Sequence, residues 1–125
     1  MKINPKELPE AIGAYSYSCT TQNMVYTSGI LPLCKDGSMS EIIQEQVKQA
    51  FENLSVVLRN SGSNLNAVVK TTVYMTNLED FAIMNEIYAS YFGSNRPARS
   101  CIEVSKLPKG AQIEIEAVAQ ITFSH

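Results

Sequence analysis

A chain of 125 residues that is 45% apolar and 18% charged has the size of one domain able to bury about two-thirds of its unfolded surface. Its net charge of -2 and scattered lysines give no footing for a phosphate backbone, and no apolar run reaches bilayer length, so neither nucleic acid nor membrane is an expected partner. Cys19, Cys34 and Cys101 share no short spacing that would mark a disulfide framework or a metal site, and the only histidine is His125, which excludes histidine triads and most metal-hydrolase sites and leaves a cytoplasmic protein with free thiols as the expectation.

Residues 1–14, with Pro5, Pro9 and Gly13, read as an irregular lead-in. Residues 15–19 and 24–28 then read as two strands of a hairpin joined by Thr20-Thr21-Gln22-Asn23, with Gly29 and Pro32 stopping the pairing. Tyr15 and Ser28 bring hydroxyls to this hairpin, though tyrosine in a strand is usually a packing residue and Ser-Gly usually a turn. Ser38 with Glu41, or alternatively Ser40, caps a helix in which Ile43, Val47, Ala50, Leu54, Val57 and Leu58 recur at helical spacing. Glu45, Lys48, Gln49, Glu52 and Asn53 take its polar side, and Gly62 ends it.

Residues 67–76 read as a strand with Val69, Thr71, Val73 and Met75 on one face and Val68, Lys70, Thr72 and Tyr74 on the other. Asn77 caps a second helix, whose Leu78, Phe81, Met84, Ile87, Tyr88, Tyr91 and Phe92 face the core and which Gly93 closes. After Pro97 the alternation returns, placing Arg99, Cys101 and Glu103 on one side and Ser100, Ile102 and Val104 on the other. Leu107-Pro108-Lys109-Gly110 turns the chain into a last strand that buries Ile113, Ile115, Ala117, Ala119 and Ile121 and turns Glu114, Glu116 and Gln120 outward.

The predicted fold is therefore α+β: one sheet with two helices on a single face. The opposite face is read as carrying Glu114, Glu116, Arg99 and Cys101 among Val118 and tyrosines. That mixture is too apolar to stay wet, so self-association of sheets with sites between subunits is expected. An arginine, a thiol and a carboxylate on the last two strands admit two readings. One is a cross-strand ion pair; the other is a pocket for a small substrate carrying its own carboxylate.

Along nearly its whole length the chain resembles the RidA/YjgF family of reactive intermediate deaminases. The resemblance rests on Ala11-Ile12-Gly13 with Tyr15, Thr27-Ser28-Gly29, Asn53-Leu54, Val69-Lys70-Thr71-Thr72-Val73-Tyr74, Leu78-Glu79-Asp80-Phe81 and Asn85 with Tyr88. Most specific are the block from Arg96 to Val104, Leu107-Pro108 and Ile113-Glu114-Ile115-Glu116. It implies a chorismate-mutase-like fold, with a single mixed sheet, assembled as a homotrimer with clefts between subunits. It also implies hydrolysis of 2-iminobutanoate and 2-iminopropanoate, released as enamines by pyridoxal-phosphate-dependent dehydratases, to 2-oxoacid and ammonia without metal or cofactor.

Carried over position by position, Arg99 would bind the substrate carboxylate and Glu114 would activate water. Tyr15 and Ser28 would line the cleft, and the backbone of Cys101 would contact the imine nitrogen. A neighbouring arginine would lower the Cys101 thiol pKa and burial would cancel that. Three positions depart from the family pattern beside cleft residues: Ala14 for proline, Tyr17 for glutamine and Ile30 for glutamine. Two other functions stand beside this one. The first is a carboxylate-binding regulator without turnover. The second is the RNA-directed activity that older family labels imply, against which the acidic charge balance weighs.

Overall fold

The computed structural model describes residues 2–122; His125 lies outside them. Six strands form one mixed sheet in the order β1-β2-β3-β6-β4-β5. These are β1 (Lys2–Ile3), β2 (Ser18–Thr21), β3 (Met24–Thr27), β4 (Val68–Met75), β5 (Ala98–Glu103) and β6 (Ile113–Gln120), with α1 (Ile43–Asn60) between β3 and β4 and α2 (Phe81–Phe92) between β4 and β5. The lead-in thus adds a short edge strand that its sequence does not announce. The hairpin turn is tighter than its four polar residues imply: Gln22 and Asn23 alone make it, at φ 46° and 71°, the left-handed pair that matches the twist of flanking strands.

Both helices pack on one face, over a core that includes Val47, Phe51, Leu54, Val73, Ile113 and Ile115. Phe51 joins the helices, stacked on Tyr91 at 5.1 Å and edge-on to Tyr88 at 5.5 Å and Phe92 at 5.8 Å. At its C-terminus α1 closes as expected: Gly62 at φ 82° donates to Arg59 O, and Ser63 donates to Leu58 O. Its N-terminus differs. The Ser38 hydroxyl turns back to Asp36, while Ser40 Oγ accepts from the Ile42 amide at 3.1 Å and donates to Glu45 at 2.5 Å, so Ser40 and not the Ser38–Glu41 pair organises the start.

Four further expectations are corrected. A bulge at Val69 lets Val68 pair with Ala119 on the buried side and leaves Val69 exposed, the reverse of simple alternation. Asn53, expected on the polar side of α1, is buried and donates to Leu31 O and Leu33 O. Leu78 is exposed, in a single 3-10 turn that Asn77 caps ahead of α2. Arg99 and Cys101 are not on the open face with the glutamates. Beside Thr71 and Val73 they take the helix-covered side, and Tyr74, Glu114 and Glu116 take the other.

Among the described residues no helix is long and apolar enough to cross a membrane.

Candidate active site

Glu114 sits on β6, whose alternate residues Ile113, Ile115 and Ala117 are sealed against the helices. Period-two alternation therefore sends its carboxylate to the open face. What it meets there is set by an irregularity in β3. Met24, Val25 and Tyr26 pair with Gln120, Ala119 and Val118, but Ile30 pairs with Ile115, so one extra residue has entered between Tyr26 and Ile30. The Thr27 hydroxyl covers the gap by accepting from the Ala117 amide at 3.0 Å and donating to Ser28 O at 2.8 Å. Gly29 is thereby pushed under the Glu114 side chain. A Cβ there would lie 2.6 Å from the carboxyl carbon and 2.7 Å from one carboxylate oxygen.

The two hydroxyl residues come to the same place. Tyr15, Ser28, Gly29 and Glu114 line one cleft of about 660 Å³, walled further by the lead-in and by Pro108 and Lys109. The Ser28 amide donates to Tyr17 O at 2.8 Å and its hydroxyl to Ser16 O at 2.5 Å, so its oxygen offers the cleft lone pairs only. The lead-in is fastened by Tyr17, whose amide donates to Asn4 Oδ1 at 3.1 Å and whose hydroxyl donates to Pro9 O at 2.6 Å. Lys35 adds hydrogen bonds from Nζ to the carbonyls of Lys6 and Leu8. Tyr15 packs edge-on against Tyr17 at 6.1 Å. Burial, with a smaller contribution from Glu116, pushes the Glu114 pKa above the usual carboxylate range.

Of the departures, Tyr17 does shape this cleft. Ile30 does not reshape it by losing an amide: its side chain is buried in the core while its backbone pairs with Ile115.

Arg99 and Cys101 are elsewhere. Strand β4 lies between β5 and β6, so a cross-strand ion pair between Arg99 and Glu114 is ruled out by topology. Arg99 pairs with Thr71 and Glu114 with Tyr74, which places their Cα atoms about 10 Å apart across the sheet and about 10 Å apart along it. Their side chains leave opposite faces. The guanidinium lies 4.7 Å from the Tyr88 ring centre and 5.3 Å from that of Phe81, and donates to Asn85 Oδ1 at 2.7 Å. Phe81, Asn85 and Tyr88 follow one another at helical spacing along α2, so one helix face holds the arginine fork from three directions.

That clamp was not foreseen. Its signal in the sequence is a polar residue, Asn85, set between aromatic residues on one stripe. Cys101 is half-buried with its sulfur 3.9 Å from Met75 Sδ. Burial raises its pKa, outweighing the lowering by Arg99. Its thiol is thereby kept protonated rather than activated.

The family model described as Endoribonuclease L-PSP matches residues 5–121. A RutC family protein of Pyrococcus abyssi is 44% identical over 121 residues, covering 94% of both chains. The 2-iminobutanoate/2-iminopropanoate deaminase of Rattus norvegicus is 41% identical over 121 residues, covering 94% of this chain and 87% of the rat protein. Among solved structures, that of Escherichia coli TdcF with bound serine superposes with a TM-score of 0.91 at 35% identity, over 96% of this chain and 98% of that one. With sequence and fold agreeing over nearly the full length, the chain belongs to the RidA/YjgF family.

Proposed function

We propose that this protein hydrolyses 2-iminoacids such as 2-iminobutanoate and 2-iminopropanoate to 2-oxoacids and ammonia, at sites that two copies of the chain complete together. The observation that carries the reading is the carboxylate of Glu114, seated on Gly29 in a cleft with Ser28 and Tyr15 and with its proton affinity raised by burial. The rat relative's activity, stated in its name, supports the same chemistry.

A protonated imine is electrophilic enough to need only a positioned water and a base. The water oxygen bonds to the imine carbon as one water proton passes to Glu114, and the C=N π pair moves to nitrogen. Glu114 then returns the proton to the amine. The carbon–nitrogen bond of the carbinolamine breaks as its hydroxyl gives its proton to Glu114 and becomes the 2-oxo group, and the departing ammonia takes that proton away as ammonium. Base catalysis of this kind is worth about 10²- to 10⁴-fold. Ser28, with lone pairs only toward the cleft, accepts from the imine N–H.

The substrate carboxylate needs a fork of donors, and Arg99 is such a fork, already oriented by Asn85, Phe81 and Tyr88. Since Arg99 and Glu114 of one chain leave opposite faces of the sheet, the arginine of a second copy, in a trimer of such copies, completes each cleft. The Cys101 backbone lies on the same strand as Arg99 and contacts the imine nitrogen from that side.

The test mixes purified protein with a dehydratase acting on threonine or serine and follows 2-oxoacid release while semicarbazide traps free imine. Wild type accelerates release. Arg99→Ala loses about 10- to 100-fold, chiefly in KM, from the lost charge-assisted hydrogen bonds, and Glu114→Ala loses turnover while still binding 2-oxobutanoate. A wild-type protein that binds 2-oxobutanoate without accelerating release is a carboxylate-binding protein, and the enzymatic reading then falls.

A further inference from the structure

On the open face of the sheet, Glu116 lies two residues beyond Glu114 on β6, so both carboxylates leave the same side, with their Cα atoms about 7 Å apart. Tyr74 of β4 stands directly opposite Glu114 in the strand register, yet its hydroxyl does not serve Glu114. It reaches along the sheet and donates to Glu116 Oε1 at 2.6 Å. That bond, with burial and the two carboxylates, raises the Tyr74 pKa to about 12, so the hydroxyl remains a donor throughout the working range of pH.

A carboxylate that could swing into solvent is here tied down beside another that the proposed reaction needs as a base. We infer that Tyr74 and Glu116 are positioning residues: the tyrosine pins the Glu116 charge on the sheet face, and that fixed charge governs at what pH Glu114 gives up its proton.

Glu114 has titratable and charged neighbours on every element around it. Glu116 comes from its own strand and Tyr74 from β4. Ser28 comes from the segment after β3, Tyr15 and Tyr17 from the segment before β2, Glu10 from the lead-in, and Lys35, Asp36 and Lys109 from the two loops at the cleft wall. Lys35 is turned toward the carbonyls of Lys6 and Leu8, and Lys70, on the same sheet face, donates to Ser100 Oγ at 2.9 Å. The charge that acts on Glu114 together with burial is that of Glu116. A like charge disfavours ionisation, so Glu116 makes Glu114 hold its proton to higher pH. A base that must be ionised to act then loses activity, as pH falls, sooner than it would alone.

The inference rests on Glu114 acting as the base in imine hydrolysis, but one of its two readouts does not. In protein carrying ¹³C-labelled glutamate side chains, the titration of the Glu114 carboxyl carbon is followed by NMR in wild type, Glu116→Gln, Glu116→Asp and Tyr74→Phe, beside the acid limb of kcat/KM for each. Glu116→Gln moves both the titration and the acid limb to lower pH, raising kcat/KM about threefold on the acid side of the wild-type limb. Tyr74→Phe, which frees Glu116 toward solvent without changing ring volume, moves both the same way by less, and Glu116→Asp restores most of the wild-type position. A Glu114 titration unmoved in both Glu116→Gln and Tyr74→Phe overturns the inference. If wild type shows no imine hydrolysis, the enzymatic reading fails while the NMR titrations still decide whether Glu116 sets the charge of Glu114.

Discussion

The methyl group of Gly29→Ala would sit 2.6 Å from the carboxyl carbon of Glu114, nearer than any stable contact. Because the group in its way is the tip of a mobile side chain and not backbone, the strain resolves by expelling the carboxylate. Gly29→Ala is therefore expected to keep its thermal midpoint within about 4 °C of wild type, equivalent to under about 1 kcal/mol, yet lose about 10²-fold in kcat. Melting curves beside the coupled imine assay check this, and an active Gly29→Ala would show that the seat of Glu114 is not what positions it. The sequence carries this contact only faintly: Ser28-Gly29 has the appearance of any turn, and its meaning depends on a residue far along the chain. Glu114 itself was legible, because strict alternation of β6 fixes its face. The placement of Arg99 was not legible, since alternation says which residues share a side and not which side the helices cover.

The elements around the site were mostly readable from periodicity, and the exceptions have local physical causes. Alternation in β4 fails at Val69 because a bulge inserts one residue against β6, and β3 hides a similar insertion before Ile30. Neither bulge has a composition signal, since the extra residue is paid for by contacts distant in sequence. Asn53 was misread for a related reason: on α1 it occupies a position that amphipathic spacing leaves polar, but its partners are the carbonyls of Leu31 and Leu33, at 2.9 and 2.8 Å. Gln49 donates to its oxygen at 2.9 Å. It thus ties the segment after Gly29, which forms part of the cleft wall, to the first helix. Asn53→Ala takes the donor from one buried and one half-buried carbonyl and is expected to cost about 2 kcal/mol, read as a lower denaturant midpoint with an unchanged slope. An unfolding curve that overlays wild type would show that water replaces the amide and that the segment holds itself.

For the molecule as a whole, strand order and register set the two halves of the proposed site apart. The class of fold followed from the order of strands and helices, but β6 inserting between β3 and β4 cannot be read from that order. This insertion sets β5 apart from β6, and the register puts Arg99 beside buried Thr71 on the helix-covered side, clamped by α2, while Glu114, opposite Tyr74, looks out from the open face. One chain therefore holds both halves of the proposed site and cannot bring them together. Two impaired variants ought then to repair one another when assayed at substrate well below KM. Chains carrying Arg99→Ala and Glu114→Ala are co-expressed with different affinity tags, purified through both tags, and assayed for imine hydrolysis against doubly tagged wild type. In the proposed cyclic trimer, when both chains are present, one site in three regains both residues, so about a third of wild-type kcat/KM is expected. Hybrids that form but stay no more active than the parent variants would contradict a site shared between copies.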